Sequence, residues 1–123
     1  MELRLPAEGV YVSVLRTTTA GLAARLDFTL DDIEDLRMAV GEAAAIVLES
    51  AAAGTDVVAR FWLGDRTMTV SVAADCAAPA EIDEDSFAWQ VLTTLATSAR
   101  ASTGQSRLDI TLVVQATPLE AAL

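Results

Sequence analysis

Leu36, Val40, Ala43 and Val47 recur at intervals of three and four residues, and this stripe constrains the chain more than any other feature. The spacing predicts an amphipathic helix with a single apolar side. Thr29 precedes Leu30-Asp31-Asp32, an N-cap followed by acids in the first turn, where they complement the helix dipole. Gly54 is the stop signal, so the helix is expected to run to about Ala53. Asp35, Glu42 and Glu49 repeat every seven residues along one flank of the stripe, and Ile46 lies one turn after Glu42 on that flank. A long helix with one apolar side needs a second layer to cover it.

Segments of period two supply that layer. Asp56–Leu63 alternates Val57, Ala59, Phe61 and Leu63 against Val58, Arg60 and Trp62. Gly64-Asp65 reads as a hairpin turn, and Met68, Val70 and Val72 continue the alternation. Near the end, Leu108, Ile110, Leu112 and Val114 alternate with Asp109, Thr111, Val113 and Gln115. Leu3–Leu5 is a brief strand ended by Pro6. Gly9 and Val10 open a helix to about Leu26, with Val10, Val14, Leu15, Leu22 and Leu26 roughly on one face and Arg16 and Arg25 off it. Ser86 caps a third helix, Phe87 to about Ala99, with Phe87, Val91, Leu92, Leu95 and Ala96 inward. Loops are expected at 75–85 and 102–106. The order β-α-α-β-β-α-β indicates an α+β fold, a two-layer α/β sandwich. Its sheet is mixed and mainly antiparallel, with the helices on one face. At 123 residues, positions 1–123 form one domain.

Composition excludes several function classes. No histidine is present, which removes the usual general base and the common metal and triad chemistries. Eighteen acids stand against eight basic residues, all arginine, for a net charge of −10. Such a surface repels phosphate backbones, excludes nucleic acid as a partner and attracts basic ones. The same charge also serves solubility alone. The lone Cys76 cannot form an internal disulfide, consistent with a reducing compartment. The longest apolar run, Ala43–Leu48, is far shorter than the ~20 residues that span a bilayer. With no signal-peptide pattern at the start, a cytoplasmic location and no membrane partner are expected.

At Asp35–Ala52, "DLRMAVGEAAAIVLESAA", the sequence resembles the helix carrying the Asn-containing box of the GHKL (Bergerat-fold, histidine-kinase-like) ATPases. Within that superfamily it is most similar to the small anti-sigma factors of the RsbW and SpoIIAB type, in particular their divergent actinobacterial branch. There the helix reads roughly D-L-R-L-A-V-x-E-A-x-x-N. The third helix, "SFAWQVLTTLA", also resembles that branch, and the element order matches across nearly the whole chain. The order alone is shared by many α+β domains.

The resemblance implies nucleotide-site positions, and this chain departs from most of them. Glu42 stands where the family has its general base. Ile46 stands at the Mg²⁺-coordinating Asn, and an alkyl group has no oxygen to offer a hard cation. Asp75 matches the Asp that contacts adenine in D-x-G-x-G, but both glycines are gone, Ala77 and Pro79 standing in their places. Proline fixes φ and removes an amide donor. The family's glycine-containing lid is reduced to about ten residues holding Glu81, Asp83, Glu84 and Asp85 and no cation, the wrong sign for a triphosphate. Ser86-Phe87-Ala88 replaces the last glycine box. ATP and Mg²⁺ are therefore not expected as cofactors, and Glu42 and Asp75 read as relics of the site. Glu42 reads equally as part of a solvated acidic flank, and Asp75 as a strand-end turn residue.

What remains of the implied function is protein binding. The resemblance implies that members of the family grip a sigma factor, that STAS-type anti-anti-sigma factors compete for an overlapping surface, and that members act as serine/threonine kinases on those factors. Aligning "ARLD" at Ala24–Asp27 places Arg16 at the family's partner-contacting arginine. An arginine there suits a bidentate carboxylate contact, or is simply exposed. The family's homodimer contact lies near the first strand, where Leu3 and Leu5 would supply it or pack within the chain. Cys76 beside Asp75 is expected in an exposed loop, passive rather than redox-active because acidic neighbours disfavour the thiolate. Trp62 and Trp89 are core, edge or interface residues. Three functions stay open: a non-catalytic anti-sigma factor, an active serine kinase of an anti-anti-sigma factor, and a docking subunit for another regulatory protein.

Overall fold

The computed structural model describes residues 1–104 and 106–118. The elements are β1 (Glu2–Pro6), α1 (Val12–Ala23), α2 (Leu30–Ser50), β2 (Asp56–Gly64), β3 (Thr67–Asp75), α3 (Phe87–Leu95), β4 (Ser98–Thr103) and β5 (Arg107–Gln115). Single 3-10 turns precede and follow α1, at Gly9–Tyr11 and Ala24–Leu26. The sheet runs β1-β2-β3-β5-β4, and every neighbouring pair is antiparallel. The fold is the expected α+β sandwich of three helices against one sheet. Its sheet is antiparallel throughout rather than mixed.

Helix α2 forms the centre of the helical layer. Thr29 caps it through a reciprocal box: the Asp32 amide donates to Thr29 Oγ1 at 3.1 Å, and the Thr29 amide donates to Asp32 Oδ2 at 3.2 Å. Leu36, Val40, Ala43 and Val47 are fully buried, facing Phe61, Met68, Val70, Val72, Leu108, Ile110 and Leu112 from the sheet. Each larger side chain buried this way contributes about 1.5–3 kcal/mol. The helix ends at Ser50, short of the expected Ala53. There the chain turns to meet β3: the Ala52 amide donates to the Asp75 carbonyl at 2.8 Å, and Ala51 bridges Cys76. Gly54 then takes φ 77°, which suits glycine, and redirects the chain into β2.

Two helical faces differ from the expected ones. In α1 the buried line is Leu15, Thr19 and Ala23, while Val10 and Val14 are exposed. Thr19 is tolerated there because its hydroxyl donates to the Leu15 carbonyl at 2.8 Å. In α3, Ser86 caps as expected, accepting from the Trp89 amide at 3.2 Å. The inward residues are Trp89, Leu92 and Ala96, and Phe87 is 83% exposed instead of buried. Helix α3 also stops at Leu95 rather than near Ala99, because 98–103 forms an additional strand. Thr97 fixes that junction: its amide donates to the Val113 carbonyl at 2.8 Å, and its hydroxyl accepts from the Gln115 amide at 3.0 Å. Strand β4 places only Ala99 and Ala101 toward the core side, too weak an apolar alternation to read as a strand.

The opposite sheet face is polar, as antiparallel sheets permit. Arg60 pairs with Glu2 at 3.0 Å, and Ser71 donates to Asp109 at 2.8 Å. Trp62 is half-exposed on that face. No helix among the described residues is long and apolar enough to cross a membrane.

Candidate functional site

The heptad flank of α2 divides between two concave surfaces. Glu42 lies on the first, an open groove of about 340 Å³ lined with Arg16 of α1 and with Glu34, Arg37 and Met38 of α2. Arg37 is held within its own helix by Glu34 at 3.1 Å. Arg16 makes no ion pair or hydrogen bond among the described residues. One turn further along α2, Ile46 lies on the second surface, a cleft of about 230 Å³. Its other lining residues are Glu49 and Ser50 from α2, Glu81, Ile82 and Asp83 from the loop, and Ser86 and Ala88 at the start of α3. Glu42 and Ile46, one turn apart, therefore serve different surfaces.

Asp75 and Ala77 line neither surface. Asp75 ends β3, where its carboxylate takes a 3.2 Å ion pair from Arg107 on β5 and its carbonyl accepts the Ala52 amide. Ala77 is exposed in the following loop. Cys76 contradicts its expected exposure: it is 7% exposed, its amide donates to the Ser106 carbonyl at 2.8 Å, and the bridge to Ala51 covers it. Burial keeps this thiol from reagents. The native protein should show no reaction with a disulfide reagent over minutes and one thiol per chain after unfolding in guanidinium; rapid native labelling would contradict this placement.

Sequence comparison adds an independent observation. No family model matches the chain. Over 51 residues it is 45% identical to the serine-protein kinase RsbW of Bacillus velezensis, a stretch covering 42% of this chain and 32% of that protein. Over this stretch the chain is similar to the RsbW proteins. RsbW proteins of Bacillus thuringiensis and Bacillus cereus are 41% identical over 51 residues with the same coverage. The match thus spans about a third of the length of these RsbW relatives.

The residues at the positions that the resemblance assigns to a nucleotide do not suit MgATP. Ile46 offers no oxygen to the metal, and the cleft beside it carries three carboxylates and no arginine. Carboxylates facing a triphosphate repel it, and a dry cleft would strengthen that repulsion. Asp75 is committed to Arg107 and does not line this cleft. The cleft forms because Ser86 starts α3 directly after the acidic loop, with the Ser86 amide donating to the Asp83 carbonyl at 3.0 Å.

Sequence reading missed two features of the site. One is the groove that brings Arg16 to Glu42 across two helices, which no spacing in one helix can show. The other is Gly41, which is buried beneath the Arg16 guanidinium. A glycine in the middle of an otherwise strong helix was the available signal.

Proposed function

We propose that this chain is a non-catalytic anti-sigma factor: it binds and sequesters an alternative sigma factor, is released by an anti-anti-sigma protein, and needs no nucleotide for either. One observation carries the reading. The cleft that holds Ile46, at the position the resemblance assigns to a nucleotide, is acidic, while the neighbouring groove presents Arg16 with no partner of its own among the described residues. The chain has lost the means to hold a triphosphate and kept a residue suited to gripping a carboxylate. Its net charge of −10 supports the choice of partner, because basic polymerase- and DNA-binding faces of a sigma factor would be steered toward it and occluded. The relatives' name, serine-protein kinase, makes phosphorylation of an anti-anti-sigma protein the competing reading. A homodimer through β1 belongs to the proposal: β1 is an edge strand whose Leu3 and Leu5 pack inward, and no strand among the described residues pairs with its outer edge.

The test is recovery of partners by the tagged protein from its native cytoplasm, with and without MgATP, read by mass spectrometry. A sigma factor retained equally in both supports a nucleotide-independent clamp. Retention only with MgATP overturns it in favour of the kinase reading, and no sigma factor in either condition favours a docking subunit. Calorimetry sharpens the result: titration of MgATP into the purified protein should give no heat beyond dilution at concentrations up to about 1 mM. A saturable isotherm would show that the acidic cleft still accepts the nucleotide.

A further inference from the structure

We infer that Gly41 is a positioning residue for Arg16: its missing side chain is the seat that holds the guanidinium against α2 at the groove, ready for a carboxylate of a partner protein. This rests on reading Arg16 as a partner contact. Gly41 lies inside the 21-residue helix α2, where glycine is the worst ordinary helix former and alanine the best. Its backbone does not demand glycine, for Gly54 is the only glycine with positive φ among the described residues. Space demands it. A Cβ at position 41 would lie 2.6 Å from Arg16 Nε, 2.9 Å from Nη2 and 3.1 Å from Cζ. No real Cβ tolerates the first two distances, so any side chain there expels the guanidinium from its seat. A local rule broken without local need marks a position kept for another reason.

The seat also explains how Arg16 remains available in a chain so rich in acids. Arg37 on the same groove is taken by Glu34. Arg16 lies against backbone instead of reaching for a carboxylate. A guanidinium already confined there loses less rotamer freedom when a partner binds, which favours affinity without adding a contact.

The experiment compares the wild type with Gly41→Ala, Arg16→Ala and the double variant by thermal melting, by side-chain Nε–Hε NMR of arginine, and by titration with the sigma factor retained in the recovery experiment. Gly41→Ala is expected to raise Tm by about 3–5 °C, since the clash is relieved by the end of a flexible side chain while helix propensity improves. The Arg16 Nε–Hε signal, assigned by its loss in Arg16→Ala, should move to the averaged position and mobility of a solvated arginine. Affinity should fall about 5–10-fold in Gly41→Ala and change less than twofold when alanine is added at position 41 of Arg16→Ala. A lower Tm, or an unmoved Arg16 signal, overturns the seat. Unchanged affinity in Arg16→Ala instead overturns the partner role of Arg16. The melt and the spectrum require no partner, so the two failures are distinguishable.

Discussion

Asp32→Ala is expected to lower the unfolding free energy by about 2–3 kcal/mol at neutral pH, a fall in Tm of roughly 8–12 °C for a domain of this size. Asp32 is 9% exposed and accepts three hydrogen bonds from outside its own residue: the Thr29 amide at 3.2 Å, the Thr117 amide at 2.9 Å and the Thr117 hydroxyl at 2.7 Å. The first completes the capping box of α2, and loss of such a cap costs about 1 kcal/mol. The others tie the segment after β5 back to the start of α2, 85 residues earlier. Arg66 reinforces that junction, donating to the Thr117 carbonyl at 2.6 Å and the Asp27 carbonyl at 3.3 Å. Alanine would leave the Thr117 donors without their acceptor at a half-buried site. Guanidinium denaturation checks the value, and a change under about 0.5 kcal/mol would contradict it.

The same residue sets a pH dependence. Burial alone would raise the Asp32 pKa, but the bonds from the Thr117 hydroxyl and amide and from Thr29 outweigh it and hold the carboxyl below 3.8. A depressed folded pKa means that the unfolded chain binds the proton first as pH falls. The contribution is therefore fully present above the unfolded value and lost as pH drops through the folded one. Compared with Asp32→Asn, the wild type should lose its charge-dependent advantage progressively, as pH falls through the ordinary aspartate range and on through the lower folded value. A gap that closes already between pH 5 and 7 would assign the effect to another group.

Periodicity made the centre of this molecule legible and its margins obscure. Helix α2, its cap at Thr29 and its stripe could be read because a 3.6-residue period and a capping residue are local signals. The same holds for Met68, Val70 and Val72, which alternate without interruption. Strand β4 escaped because Ser98, Arg100 and Ser102 alternate only with alanines, and its place in the sheet depends on backbone pairing with β5. Cys76 looked exposed because the residues covering it, Ala51 and Ser106, lie 25 and 30 positions away in sequence. Phe87 looked buried because an aromatic at the first helical position satisfies the apolar pattern, yet Trp89 and Leu92 set the phase. Within the candidate site, the sequence shows directly that Ile46 and Ala77 carry no side-chain oxygen. The separation of Glu42 from Ile46 onto two surfaces, and the meeting of Arg16 with Gly41, required the packing of α1 on α2.

Arg16→Glu is expected to weaken binding of the recovered sigma factor by at least 100-fold while leaving the fold intact. Arg16 is exposed and makes no ion pair among the described residues, so its removal should change stability by no more than about 0.5 kcal/mol. Binding loses more than a contact. Glutamate at this position would share its groove with Glu34 and Glu42, so a carboxylate arriving from the partner would meet three acids, with Arg37 already paired to one of them. Removing one member of a close interfacial charge pair costs about 2–5 kcal/mol, and reversing its sign adds repulsion. Arg16→Lys separates charge from shape: it keeps the sign and loses the planar fork, so an intermediate loss is expected where the contact is bidentate. Circular dichroism and a binding titration at two salt concentrations check the result. A folded Arg16→Glu protein that binds as the wild type does would move the partner surface away from this groove. Equal affinity in Arg16→Lys and the wild type would reduce Arg16 to a point charge, leaving the groove to act by steering alone.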